Sequence, residues 1–319
     1  MPATSPVRCG PDPRHKPVRI GTASLAEVHS GLMATVSSTV RGGDAGTQWA
    51  VMTAVPVARL DGLVLGYAGF RESSDRPVVR RELPTSELVL VLNLAESPTV
   101  RRSSSAATAT TPAAFLAGVG HSSLTACHAG HQVALEVRLS PLAAGALFGV
   151  PSGQLAEQVV DLAELWGRAA SELVERAAAA SWRDRFGLVE AALLARMSPD
   201  VGMDPVLAGA HGLLVQRGGD LSVGELERLT GWSRRRLAAE FREHVGLTPK
   251  AMARLVRFRR AAHLLGQPGH RSLVSIALSC GYYDQAHFNR EFRELASCTP
   301  SAYLAQLRAD IAGTGMSRQ

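Results

Sequence analysis

Two stretches near the C-terminus repeat the same spacing of hydrophobic positions. Leu237 and Phe241 are four residues apart, as are Phe288 and Phe292, and 51 residues separate the two pairs. Residues four apart lie on one face of an α-helix, so each pair predicts a helix that packs its apolar face inward. A glycine precedes each of these helices and a Thr-Pro pair follows it, and the two Thr-Pro pairs are again 51 residues apart.

These features predict two helix-turn-helix units, at about residues 222–246 and 272–297. Glycine allows the sharp reversal between two helices, and Thr-Pro is typical of the start of the next one. Arg, Gln and Asn read base edges in the major groove of DNA, and Arg also binds phosphate. The predicted DNA-binding residues lie on the faces opposite the apolar pairs: Arg235, Arg236, Ala238, Ala239, Arg242, Gln285, Ala286, Asn289, Arg290 and Arg293.

Residues 205–310 resemble the DNA-binding domain of the AraC/XylS family of bacterial transcription regulators. Residues 248–265 correspond to the long helix that joins the two units in that family, and Leu255, Phe258, Ala262 and Leu265 give it an inward stripe. The resemblance implies an all-α domain of seven helices. A connector of this length spans only about 26 Å at 1.5 Å per residue, whereas successive major grooves repeat about every 34 Å. We therefore expect the DNA to bend, or the second unit to dock incompletely.

Three positions depart from the family pattern. Glu227 stands where the family favours a small alanine before the first turn, and Ala239 replaces an arginine of the first recognition helix. Ser297 replaces the glycine that precedes the second Thr-Pro. Glycine is the usual residue in a left-handed helix cap, so we expect the second recognition helix to lack that cap.

The N-terminal half shows short apolar or alternating runs separated by Gly, Pro and Ser, at residues 49–52, 63–67, 87–94, 115–119 and 132–139. This spacing predicts an antiparallel β-sandwich or barrel. Regulators of the family often carry a cupin-like β-barrel there, which binds a small effector. Helices are predicted at residues 141–150, 161–167, 170–180 (with Ser171 as cap) and 182–197. The predicted architecture is therefore α+β: a tail (1–48), a cupin-like sensor or dimerisation domain with trailing helices (49–199), and the all-α DNA-binding domain (205–310).

Charge separates the two halves of the 319-residue chain. From Pro205 onward the net charge is +7, and the rest of the chain carries −1. A positive charge confined to one domain is the footprint of a phosphate-binding module. The sequence predicts no signal peptide and no membrane span, and its four cysteines lack metal spacing, so we expect a cytoplasmic protein.

One histidine cluster invites a metal-site interpretation. His121, His128 and His131 precede the run that contains Glu136, and imidazole suits Zn or Fe. Their spacing is not that of a metal-binding cupin, and loop histidines are the alternative. Neither a Gly-x-Ser-x-Gly elbow nor a Gly-Lys-Ser phosphate loop is present. We predict no catalytic, cofactor or metal site.

The interpretation is a sequence-specific DNA-binding transcription regulator, with activation the family's commoner output. Its expected partners are double-stranded DNA and, for an activator, RNA polymerase; a small effector and a homodimer partner are left open. Two alternatives also stay open: a ligand-independent architectural DNA-binding protein, and a metal-dependent cupin enzyme tethered to DNA.

Overall fold

The computed structural model describes residues 35–43, 46–102, 107–198, 203–267 and 272–313. Within the described residues, strands predominate up to Asp161, and the last third contains helices but no strand, so the fold is α+β as predicted. The strands within the described residues are β1 (Thr35–Gly43), β2 (Thr47–Val55), β3 (Val64–Ser74), β4 (Val78–Glu82), β5 (Leu88–Asn93), β6 (Thr99–Arg102), β7 (Thr108–Thr110), β8 (Ala114–Ala117), β9 (Leu124–His128), β10 (His131–Leu139) and β11 (Val159–Asp161).

In the described parts of the chain, these strands form two antiparallel sheets. One has seven strands in the order β1-β2-β3-β10-β5-β8-β11, and the other has four in the order β4-β9-β6-β7. All five runs predicted as strands contain strand residues. β1 was missed, since it lies within the segment 1–48 predicted as a tail; its polar Thr and Ser positions hid an edge strand. Residues 1–34 lie outside the described residues.

Strand β5 shows how the larger sheet uses its two faces. Leu88, Leu90 and Leu92 are 0% exposed, and they belong to the core that includes Phe186 from the following helices. The alternate residues Val89 and Asn93 face the other way and line a cavity between the two sheets. Because side chains alternate along a strand, one run of sequence builds both a dry core and a cavity wall.

Helices cover the far face of the larger sheet and continue to Gly313. A 3-10 turn at Pro141–Ala143 leads into the first of them. The helices are α1 (Ala144–Phe148), α2 (Ser152–Leu155), α3 (Leu162–Trp166), α4 (Arg168–Ala179), α5 (Trp182–Arg196), α6 (Pro205–Gln216), α7 (Val223–Thr230), α8 (Arg234–His244), α9 (Pro249–Gly266), α10 (Leu273–Ser279), α11 (Gln285–Ala296) and α12 (Pro300–Gly313).

The predicted cap of the helix at residues 170–180 is wrong. Helix α4 begins at Arg168, so Ser171 lies inside its first turn. Gly167 precedes the helix with φ 60°, a backbone conformation that a glycine adopts without strain, and it joins α3 to α4 in a tight turn.

The C-terminal domain is held together by aromatic rings around the connector helix α9. Phe292 of α11 lies 5.0 Å from Phe258 of α9, measured between ring centroids, and 5.6 Å from both Phe288 and Tyr303. Leu255, Phe258, Ala262 and Leu265, the predicted inward stripe of α9, are buried.

Helix α11 does end in a left-handed cap, contrary to the prediction. Ser297 adopts φ 55° and ψ 21°, and its N–H donates to the carbonyl of Arg293 at 2.9 Å. Its hydroxyl also lies 3.0 Å from that of Ser123, on the N-terminal domain. A serine thus takes the conformation expected of glycine, and contact with the neighbouring domain helps to offset the strain.

No helix of the described residues is long and apolar enough to cross a bilayer.

The aromatic cluster generates a stability prediction. Phe292→Ala should lower the free energy of unfolding by about 3–5 kcal/mol, because it removes a fully buried ring and leaves a cavity. Urea denaturation of the full chain, followed by fluorescence and circular dichroism, would measure the change. Tyr283→Ala is the matched control, since that ring is 86% exposed. Equal stability of the Phe292→Ala variant and the parent chain would contradict the packing described here.

Candidate nucleic-acid interface

The first helix-turn-helix unit consists of α7 and α8. A capping box starts α7, in which Ser222 and Glu225 bond each other's backbone N–H groups. Gly231 ends it in the left-handed conformation at φ 70°, and the Ser233 hydroxyl caps α8. These caps fix where α7 ends and where α8 begins, so the orientation of α8 relative to α7 is well defined.

Glu227, which stands in place of the family's alanine, has a structural role in this turn. Its Oε1 accepts a hydrogen bond from the backbone N–H of Arg234 at 2.8 Å, and its Oε2 lies 3.5 Å from that arginine's guanidinium. Arg234 is the first residue of α8. The carboxylate therefore binds a backbone donor that the first turn of a helix leaves unsatisfied.

The five predicted residues of α8 differ in their availability. Arg235, Ala239 and Arg242 are exposed, and Ala238 is half-buried. Arg236 is exposed too, but its guanidinium lies 4.2 Å from the Trp232 ring centroid and 3.8 Å from Glu240.

Arg242 donates to the carbonyl of Ala238 at 3.3 Å, along its own helix. Arg235 makes no hydrogen bond or ion pair with any described residue, which leaves it the most available arginine of α8.

The second unit consists of α10 and α11, joined through Gly281 at φ 77°. Asp284 caps α11 by accepting the N–H of His287 at 2.6 Å. Of the five predicted residues, Ala286, Arg290 and Arg293 are exposed, and Gln285 and Asn289 are half-buried.

Neither Arg290 nor Arg293 bonds to another described side chain. The Oδ1 of Asn289 is buried and lacks a partner among the described residues. The predicted DNA-binding face of α11 is thus present: its two arginines are exposed to solvent, and its two amide side chains are half-buried.

One exposed aromatic beside this face was missed by the sequence reasoning. Tyr283 is 86% exposed and directly precedes the cap of α11, whereas its neighbour Tyr282 is 3% exposed and its ring centroid lies 5.0 Å from that of Phe288 in a tilted arrangement. The adjacent tyrosines gave no sign of which one faces inward. An exposed tyrosine at this end of the helix adds a hydrogen-bonding and stacking group to the candidate interface.

A buried carboxylate fixes α11 against the connector. Glu291 is 7% exposed and lies 2.9 Å from the guanidinium of Arg254 and 3.8 Å from that of Arg257, both on α9. Burial, followed by the charge of Glu291, raises the pKa of Tyr282 above its ordinary value. These ionic contacts hold the second recognition helix at a defined angle to α9.

The N-terminal domain contacts the C-terminal ends of both recognition helices. The guanidinium of Arg81 on β4 donates to the carbonyl of Ala296, at the end of α11. Gly153 on α2 packs so closely on the end of α8 that a Cβ there would lie 2.5 Å from the carbonyl oxygen of Arg242. The interface between the domains thus reaches both units.

The three histidines of the N-terminal half do not converge. His128 is not a loop residue: it ends β9, is buried, and its Nε2 lies 2.8 Å from Glu72. His121 lies 3.1 Å from Glu157, and His131 is exposed at the start of β10. In the described parts of the chain, no group of three His, Cys, Asp or Glu side chains is arranged to hold a metal ion.

Comparison with known proteins agrees with this geometry. A family model described as a helix-turn-helix domain matches residues 226–306. An uncharacterised HTH-type transcriptional regulator of Haemophilus influenzae is 34% identical over 91 residues, which cover 28% of this chain and 30% of that protein. The HTH-type transcriptional activator RhaS of Salmonella arizonae is 37% identical over 68 residues, or 21% of this chain and 24% of that protein. The chain thus spans less than a third of the length of these curated relatives.

A solved structure is also similar to part of the chain. It is a transcriptional regulator from Chromobacterium violaceum with an AraC-type DNA-binding domain, 32% identical in sequence, and the match covers 32% of this chain and 92% of that one, with a TM-score of 0.30.

The two helix-turn-helix units on one connector define a double helix-turn-helix DNA-binding domain. By the sequence matches, this domain is similar to the helix-turn-helix DNA-binding domains of AraC-type transcription regulators.

The exposed arginine of α11 generates a prediction about base reading. Arg290→Ala should weaken binding to the preferred site by about 1–3 kcal/mol if its guanidinium contacts a base edge, and should change binding to random DNA far less. The preferred site would be selected from a random library with the parent chain and titrated by fluorescence anisotropy. Arg59→Ala, which removes an exposed arginine of the N-terminal domain outside the recognition helices, is the control. Equal losses on both duplexes would show a phosphate contact only.

Proposed function

We propose that this chain is a sequence-specific DNA-binding transcription regulator that reads DNA with α8 and α11. The observation that carries the proposal is the pair of capped recognition helices, each with an apolar face packed inward and arginines exposed on the other. The net charge of +7 from Pro205 onward supports it, because phosphate contacts supply much of the affinity for DNA.

The two units have separate tasks in this proposal. Arg290 and Arg293, which bond to no other described side chain, contact bases or phosphates from α11, with Gln285 and Asn289 lower on the same face. Arg235 makes the main DNA contact from α8. Arg236 packs on the ring of Trp232 and stabilises the surface beside it. The remaining predicted residues, Ala238, Ala239, Arg242 and Ala286, allow close approach or bind phosphate.

The length of α9 sets a constraint on the bound DNA. With 18 residues it is about 27 Å long at 1.5 Å per residue. Successive major grooves lie about 34 Å apart, so both units engage one face of the duplex only if the DNA bends toward the protein. Glu291 and the aromatic cluster hold α11 rigidly on α9, which favours bending over a change in the protein.

We further propose that the N-terminal domain senses a small molecule. A cavity of about 300 Å³ lies between its two sheets, and Arg259 of the connector α9 contributes to the lining. A ligand there touches both domains at once. This observation favours a regulated protein over the ligand-independent architectural alternative.

The remaining roles follow from the family. Activation through contact with RNA polymerase is the expected output, and similarity to the activator RhaS supports it. The helices α3–α5 offer a surface for a homodimer, and the cytoplasm is the expected location.

The proposal predicts a strong salt dependence. The full chain should bind duplex DNA at 50 mM salt and lose roughly 10³–10⁵ in affinity by 200 mM if it neutralises 6–10 phosphates. Anisotropy titrations at four salt concentrations would give the slope of log affinity against log salt. Replacing both Arg235 and Arg293 with Ala should make the slope shallower by about 2 if each contacts one phosphate.

The matched control for that experiment replaces Arg59 and Arg76 of the N-terminal domain, which are exposed and lie outside both recognition helices and α3–α5. That double variant should keep the parent slope. A folded full chain that binds no duplex DNA at 50 mM salt would contradict the proposed role as a DNA-binding regulator.

A further inference from the structure

The cavity between the two sheets has apolar walls and an unbalanced set of polar groups. Phe70, Val91 and Phe115 form part of the walls. Glu82 of β4 and Glu136 of β10 face the cavity from opposite sheets. The chemistry of a possible occupant depends on which of the lining charges are already paired within the protein.

Most of the lining charges are paired. The guanidinium of Arg80 bonds the buried carboxylate of Glu72. Arg138 lies 3.6 Å from Glu87, and Glu157 lies 3.1 Å from His121. Glu82 and Glu136, by contrast, form no hydrogen bond or ion pair with any described residue.

Asn93 adds a third acceptor. Its side-chain nitrogen donates to the carbonyl of Pro112 at 2.9 Å and to the hydroxyl of Thr111 at 3.2 Å, and that hydroxyl donates in turn to the carbonyl of Pro98 at 3.1 Å. Because a carbonyl only accepts, these bonds fix the orientation of the amide.

The amide oxygen of Asn93 has no hydrogen-bond donor among the described residues. Asn93 is 3% exposed and lines the cavity, and its Oδ1 has no partner among the described residues. A buried acceptor without a donor is costly unless a ligand or water supplies one.

The register of the sheet brings Asn93 and Glu136 together. Glu136 pairs with Val91 across β10 and β5, and Asn93 is two residues beyond Val91 on the same face. Diagonal neighbours of this kind lie about 7–8 Å apart, within reach of one small group.

The two carboxylates also act on each other. Burial, followed by the charge of Glu82, raises the pKa of Glu136 to about 7, while Arg138, Arg80 and Arg259 lower it. Desolvation raises the pKa of Glu82 as well, against the charges of Arg80 and Arg259, although this residue is exposed. The cavity therefore holds two carboxylates whose negative charge Arg80, Arg138 and Arg259 offset only in part, and a cation would offset it further.

We propose that the cavity binds an organic cation, a primary ammonium on a short apolar chain, with Glu82, Glu136 and Asn93 accepting its three N–H bonds. This inference rests on the proposed role of the N-terminal domain as a sensor and names the chemistry of its ligand. An ammonium group carries three donors and no acceptor, which matches the acceptors present. The apolar chain lies along Phe70, Val91 and Phe115.

The ligand would act on the DNA-binding domain through Arg259. Among the described residues that line the cavity, Arg259 is the one from the C-terminal domain, and its charge faces both Glu82 and Glu136. A bound ammonium competes with this guanidinium for the same two carboxylates. Binding therefore weakens an electrostatic attraction between the cavity and the connector helix.

The test compares three probes of equal chain length on the full chain: hexylamine, hexan-1-ol and hexanoate. Isothermal calorimetry should show hexylamine binding at least tenfold more tightly than either of the others at pH 8. Its affinity should rise about tenfold from pH 6 to pH 8, because a group with a pKa of about 7 goes from about one tenth to about nine tenths ionised. Hexanoate binding more tightly than hexylamine, or no binding of hexylamine, overturns the inference.

Amino-acid substitutions distinguish binding of hexylamine in the cavity from a general attraction between the amine and the acidic groups of the protein. Glu136→Gln should weaken hexylamine at least tenfold at pH 8 and abolish the pH dependence. The control Glu96→Gln removes an exposed carboxylate that is not part of the lining, and should change neither. Arg259→Gln should tighten hexylamine binding, since it removes the competing cation, whereas a purely structural role for Arg259 predicts no gain. Equal affinity of Glu136→Gln and the parent chain overturns the assignment.

DNA titrations on the same preparations distinguish this inference from the proposed function. A chain that binds DNA with the expected salt slope but prefers hexanoate overturns the ligand class and leaves the regulator intact. A folded chain that binds hexylamine but no DNA retains the cation site and overturns the regulator.

Discussion

The burial of Phe292 among three aromatic rings is the contact on which the DNA-binding half depends. It joins α11 to the connector through Phe258, to its own preceding turn through Phe288, and to α12 through Tyr303. Glu291, the next residue back, adds a buried ionic contact to the same connector. Apolar burial supplies most of the stabilisation, and the carboxylate sets the angle, so the direction of Arg290 and Arg293 follows from packing on the opposite side of the helix.

The sequence predicted those parts of the fold in which local periodicity and burial agree. The 51-residue repeat placed both helix-turn-helix units, and the strong runs at β5 and β10 placed the centre of the larger sheet. It missed β1, β11 and all four strands of the smaller sheet, because short or polar strands bury too little to leave a pattern. It also missed the left-handed cap at Ser297, since a serine in that conformation depends on Ser123, which is 174 residues away in the chain.

The candidate sites also divide into parts that the local sequence pattern predicts and parts that depend on contacts between distant residues. The exposed faces of α8 and α11 follow from helical phase alone, so the arginines could be named from sequence. That Arg236 stacks on Trp232 and that Glu227 caps α8 depends on rotamers and on the angle of the turn. The cavity could not be foreseen at all, because Glu82, Asn93 and Glu136 come from three strands whose order in the sheets the sequence does not reveal.

The placement of Arg259 has a consequence for how affinity and sequence preference are related. A signal that enters through α9 reaches the element that carries both recognition helices, and it reaches neither reading face directly. The aromatic and ionic contacts of α11 on α9 do not involve the cavity. A ligand in the cavity would therefore change the fraction of the protein that is bound to DNA, while the preferred base sequence stays the same. DNA affinity and sequence preference are thus set by different surfaces of α9.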